Sequence, residues 1–186
     1  MLPIGLLMIE HRLIERMISR MDRELELLAA GGPIDVRFID SAVDFVRTYA
    51  DRCHHGKEED ILFRDLAARG LSTEHRRTMD ELVAEHVRGR EAVARLVKAR
   101  EAWASGVDGA RERIAEHMRT LVDFYPKHIE KEDRHFFGPV MGYFTKAEQD
   151  AMLEECYRFD RQMIHTHYRD VIERLEGAGG RAAAPA

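Results

Sequence analysis

Apolar residues recur at intervals of three and four along five stretches of roughly 25 to 35 residues, the period of helices that bury one face. Nothing along the chain alternates with the two-residue period of a half-buried strand. The breakers are few: Gly31-Gly32-Pro33, Gly70 with Leu71-Ser72, Ser105-Gly106 through Gly109, Gly138-Pro139 to Gly142, and the tail after Gly177. Between them the pattern predicts helices at about 3–30, 35–69, 73–104, 107–137 and 146–176. Ser72 suits the N-cap of the third, and Thr145 with Glu148 forms a capping box for the fifth. Pro126 falls inside the fourth and is expected to kink it just before His128.

Short connections make consecutive helices antiparallel neighbours, so the expected fold is all-α, an up-down-up-down four-helix bundle with an additional C-terminal helix on its outside or across one end. The organisation that follows is a bundle over 1–143, an accessory helix over 144–176 and a flexible tail over 177–186.

Composition narrows the function classes. With 34% charged residues, a net charge of −5 and a pI near 6.1, the chain has no basic footprint, so no nucleic-acid partner is expected. The apolar opening MLPIGLLMIEH is too short to span a bilayer and lacks a basic region before it; no membrane partner and a cytoplasmic location are expected. Cys53 and Cys156 make neither a disulfide framework nor a zinc spacing.

Histidine carries the chemistry. Residues 54–63, HHGKEEDILF, align without gaps on residues 128–137, HIEKEDRHFF, matching His54 with His128, Lys57 with Lys131, Glu58 with Glu132 and Phe63 with Phe137. At 1.5 Å of rise per residue, His11 lies about 22 residues before the turn near Pro33 and His54 about 21 after it. Counted from the turns near Gly70 and Gly106, His86 comes level with His54 and His128. Each of four helices thus brings one His to a common cross-section, and Glu58 and Glu132 follow one turn later on the same face. His75 and His117 fall at other heights.

Four imidazoles and two carboxylates exceed the needs of one tetrahedral zinc and suit two metal ions bridged by the carboxylates. Each ion would receive two His nitrogens and two oxygens, with room for a bridging oxygen. Mixed imidazole and carboxylate donors in a helical bundle favour iron, with manganese or a mixed pair as alternatives.

His11 within EHRLIERM, the two aligned segments, His86 within EHVRGR, and the following PVMGYFTKAE resemble the hemerythrin-like (HHE cation-binding) domain over about residues 5–140. The resemblance implies a non-haem di-iron site with His11, His54, Glu58, His86, His128 and Glu132 in the ligand positions. It also implies O2, NO or peroxide as the small ligand, in sensing, in di-iron oxidoreductase chemistry or in iron storage and repair, with catalysis and any protein partner unassigned. One departure stands out: the third helix of oxygen carriers is expected to offer two His four residues apart, whereas Arg90 follows His86 here. The centre is therefore expected to lack one imidazole, with His165 and His167 as remote substitutes and His55-x-x-x-Glu59 as a competing register.

Overall fold

The computed structural model describes residues 1–179, the side chains of 164–166 and 168–179 excepted. All regular structure among the described residues is helical. Helix α1 (Pro3–Ala29) opens with proline in its first turn, where a missing N–H costs nothing. It buries a single stripe, Leu7, His11, Ile14, Ile18, Met21 and Leu25, with the histidine set among apolar neighbours. The chain then reverses through Gly31 at φ 85° and Gly32, where a Cβ would stand 2.8 Å from the carbonyl oxygen of Leu27.

Helix α2 covers residues 36–67 and is not uniform. Asp35 caps its start by accepting from the Phe38 N–H at 3.0 Å. It begins as an α-helix (Val36–Phe45), widens to a π-helix over Val46–His55 and again over Glu58–Phe63, and closes as an α-helix (Arg64–Ala67). Helix α3 (Thr73–Ala104) has the expected Ser72 cap, whose hydroxyl accepts from the His75 N–H at 3.1 Å. Helix α4 covers residues 110–140, continuing through Pro126 without a break and widening to a π-helix over Glu132–Phe136. It starts three residues later than the periodicity suggests, because Gly106 and Gly109 both take left-handed turns at φ 69° and 70°. It also runs past Gly138-Pro139, since Pro139 falls in the first turn of the closing segment Phe137–Val140, where its ring fits. The Thr145–Glu148 capping box starts α5 (Lys146–Gly179), with Glu148 accepting from the Thr145 N–H at 2.8 Å and Thr145 accepting from the Glu148 N–H at 3.3 Å. The expected tail residues 180–186 lie outside the described residues.

The core is divided by a polar layer. On one side α1 to α4 pack Ile14, Ile18, Met21, Ile39, Leu96, Ile114, Met118 and Leu121 together; on the other Ile4, Leu7, Ile61, Leu62, Leu66, Phe136 and Phe137 meet Met152 and Cys156 of α5. At about 1.5–3 kcal/mol per fully buried large apolar side chain, these clusters hold the helices together on either side of a layer that would otherwise push them apart. Helix α5 lies against α1 and the widened part of α2, with Phe159 seated on Gly56. No helix of the described residues is long and apolar enough to cross a membrane.

Candidate metal centre

The polar layer is His11, His54, His55, Glu58, His86, His128 and Glu132, every one at most 2% exposed. The structure thus brings all six residues singled out from the sequence into one layer and adds His55. Two groups form within it. His11, His54, Glu58 and Glu132 face one another on one side, and His55, His86, His128 and Glu58 on the other.

Each carboxylate spans both groups. Glu58 presents Oε1 to His54 Nε2 at 3.3 Å and Oε2 to His86 Nε2 at 3.4 Å. Glu132 presents Oε2 to His11 Nε2 at 3.2 Å and Oε1 to His128 Nε2 at 3.4 Å. None of these approaches is a well-formed hydrogen bond, and the five Nε2 atoms and four carboxylate oxygens are all buried without a hydrogen-bond partner. At about 1–3 kcal/mol per buried unsatisfied atom, such a set would match or exceed the ~5–15 kcal/mol net stability of a whole domain. Two donors each about 2.1 Å from a shared cation and at right angles to it are about 3 Å apart, close to these separations. The donor set therefore fits a pair of cations with a carboxylate oxygen on each side of either bridge.

The other ring nitrogen of each histidine meets a carboxylate. His11 Nδ1 lies 2.7 Å from Asp133, His86 Nδ1 2.7 Å from Glu59, His54 Nδ1 2.9 Å from Glu10 and His128 Nδ1 2.9 Å from Glu85; His55 Nδ1 lies 3.4 Å from Asp51. A carboxylate at Nδ1 keeps a proton there and turns the Nε2 lone pair inward. Each carboxylate is in turn held by a cation: Asp133 by Arg12, Glu10 by Lys57, Glu85 by Lys131, and both Glu59 and Asp51 by Arg90. Phe137 stacks on His11 with centroids 5.7 Å apart, and Phe63 on His86 at 6.0 Å. The repeated segment thus has a geometric meaning. Its Lys holds the carboxylate behind its own His, its second acidic residue serves the His of the opposite half, and its Phe covers that same ring.

Consecutive histidines face inward because α2 is widened at this point. An α-helix turns about 100° per residue and would direct His54 and His55 to different faces, but the i to i+5 pattern adds a residue to the turn and keeps both rings in the layer. Both histidines lie in the layer: His54 Nε2 faces Glu58, while Glu59 goes to the outer nitrogen of His86. His55 places a fifth imidazole in the layer, beside His86 and His128. His167 instead lines a surface cavity with Asp44 and Arg47, and His165 lies outside the described side chains.

Electrostatics separates the rings. Burial lowers the pKa of His54, but Glu58, Glu10 and Glu132 override it and raise it to about 10. His86 is likewise lowered by burial and raised overall to about 9 by Glu132, Glu59 and Glu58. His55, with burial reinforced by His86, His54 and His128, lies well below the ordinary imidazole range. Glu132 stays well below the carboxylate range because His128, His11 and His86 outweigh its burial. Cys53, beneath α5 with its thiol 3.4 Å from Asp160, is pushed by burial to about 12 and is inert at neutral pH. Tyr49 packs on Phe45, and Tyr125 lies buried beside His55.

The hemerythrin HHE cation-binding domain matches residues 2–140. The chain belongs to that family. Three curated relatives, uncharacterised proteins of Mycobacterium bovis and of two strains of Mycobacterium tuberculosis, are each 24% identical to it over 148 residues, 80% of this chain and 57% of theirs. The chain thus spans little more than half the length of those relatives. No solved structure matches it. In this HHE-family chain the buried His and Glu groups are those able to hold a cation, and the match ends at the C-terminus of α4, so α5 lies beyond it. The carboxylates behind the rings were missed in the sequence, although a signal existed: Glu-His occurs at 10–11 and again at 85–86, each Glu serving the His of the helix that follows.

Proposed function

We propose that the chain holds two iron ions through His11, His54, Glu58, His86, His128 and Glu132, with His55 as a further ligand. The ions would sit inside an up-down-up-down bundle over 1–143 buttressed by the helix over 144–176, and the centre would bind or react with O2, NO or another small oxidant such as peroxide. The carrying observation is the pair of carboxylates, each with one oxygen toward each imidazole group. An iron pair supplies reversible redox change and exchangeable coordination positions at that point.

The protein's part is to make the two positions unequal. One side offers two imidazoles and two carboxylate oxygens, the other three imidazoles and carboxylate oxygens. Six-coordinate ions would keep more open positions on the two-imidazole side. Where the first repeat has His55 the second has Ile129, so that side carries an apolar side chain at the matching place. A cavity of about 230 Å³ opens beside Ile129, lined by Ile18, Val122 and Tyr125 together with Glu15, Ser19 and Asp22. The buried, apolar Ile129 favours a small neutral ligand over a bulky or charged one on that side. The Nδ1 carboxylates hold the rings in place and the apolar clusters limit access of water.

The test is anaerobic purification with metal analysis, followed by optical spectra on adding O2, NO and peroxide in turn. Two iron ions per chain and a spectral response to at least one of the three are expected. One zinc per chain, or a loaded protein indifferent to all three, would overturn the reading.

A further inference from the structure

Three of the five Nδ1 carboxylates, Asp133, Glu10 and Glu85, each have a cation of their own, but the other two share Arg90. Its Nε donates to Asp51 at 2.7 Å and its Nη2 to Glu59 at 2.7 Å. Asp51 lies behind His55 and Glu59 behind His86, so one guanidinium anchors the outer partners of two imidazoles of the same group. Those two rings stack with centroids 3.9 Å apart and planes 10° from parallel, so neither can turn without the other. The arrangement exists on one side only: Asp51 aligns with Tyr125 in the second repeat, and His11 has Arg12 behind Asp133 instead. Arg90 also lines the small cavity, about 100 Å³, that reaches His55 past Gly89.

We propose that Arg90 is the positioning residue of the three-imidazole side, fixing His55 and His86 together through Asp51 and Glu59 and so governing the affinity of that cation alone. The proposal rests on the dinuclear reading above and adds to it a residue that no ligand pattern contains. A planar fork is needed for the task, because only two N–H groups in fixed relation can hold both carboxylates at once. Arginine at this position, one turn beyond His86, is therefore part of the centre's outer frame and not a lost ligand. Its side chain is 39% exposed, so replacing it removes little core packing.

The experiment titrates metal-free protein with cobalt(II) without air, follows the visible cobalt bands under chelator competition, and compares wild type with Arg90→Met, Arg90→Lys and Arg12→Met. Wild type should bind two cobalt ions. Arg90→Met should retain one at wild-type affinity and weaken the other by about 10- to 100-fold, the range for loss of an outer partner. Arg90→Lys should recover part of that loss, since an ammonium satisfies one carboxylate at a time. Arg12→Met should weaken the other ion instead, and anomalous scattering at the cobalt edge in crystals identifies which position empties. Equal weakening of both ions in Arg90→Met, or none, overturns the proposal while leaving the dinuclear reading intact. Wild-type protein that takes up a single cobalt overturns that reading first, and the proposal with it.

Discussion

In the proposed centre both cation positions share Glu58 and Glu132, and that geometry makes a sharp prediction. Replacing either by Ala removes an oxygen from each side, so both ions should fall together, whereas His55→Ile, which copies the second repeat, should reduce only one; metal per chain by mass spectrometry separates the outcomes. His54 and His86 set the pH behaviour. Without cations their raised pKa values, about 10 and about 9 against an ordinary 6.5, contribute stability that is complete below 6.5 and lost as pH rises through 9 to 10. Cations need the neutral rings, so binding releases those protons and tightens over the same window. The difference in melting temperature between loaded and cation-free protein should therefore widen from pH 7 to pH 10. A difference that narrows over that range would contradict the assignment.

At the scale of the element, two helix starts were legible because caps are local chemistry: Ser72 and the Thr145–Glu148 pair act within one turn of themselves. The widening of α2 was not. A single extra residue per turn shifts the apolar stripe too little to read from spacing, and His55 therefore looked like the alternative to His54 when the wider turn admits both. The docking place of α5 was written in the mismatches between the repeats. Cys53 and Gly56 stand where the second copy has Lys127 and Glu130, and only the first copy is covered by Asp160 and Phe159. A Cβ at Gly56 would lie 2.7 Å from Phe159 Cζ. Gly56→Val should therefore cost about 1–3 kcal/mol through overpacking. Phe159→Leu should restore part of it, measured by denaturant unfolding.

Over the whole molecule, four helices converge on a layer that is costly without cations and is clamped between two apolar clusters. Ligands that bind only the folded state add stability in proportion to their excess over Kd, about 2.7 kcal/mol at a hundredfold excess. For a chain of this length that corresponds to a rise of roughly 5–10 °C in melting temperature, at about 2–4 °C per kcal/mol. Equal melting temperatures with and without metal at neutral pH would show that the buried layer is satisfied in some other way. The level placement of the four histidines followed from helical rise alone, since the connections are short. The ring of carboxylates and cations behind them depends on which helices become neighbours, a long-range fact that the repeat hinted at and only packing decides.

Cys53 beneath α5 and Cys156 on that helix's own buried face turn α5 into something that can be timed. Cys53 and Cys156 are buried and their thiols pushed to about 12, so at neutral pH neither reacts where it lies. Any thiol reagent must wait for α5 to lift, and the labelling rate at saturating reagent then reports the opening rate of one helix in the intact protein. Because Lys57 joins Asp160 of α5 to Glu10, and Glu10 holds His54, that stopwatch is wired to the cation layer. Labelling should slow on metal loading and quicken in Gly56→Val. A rate indifferent to both would mean that α5 breathes independently of the centre beneath it.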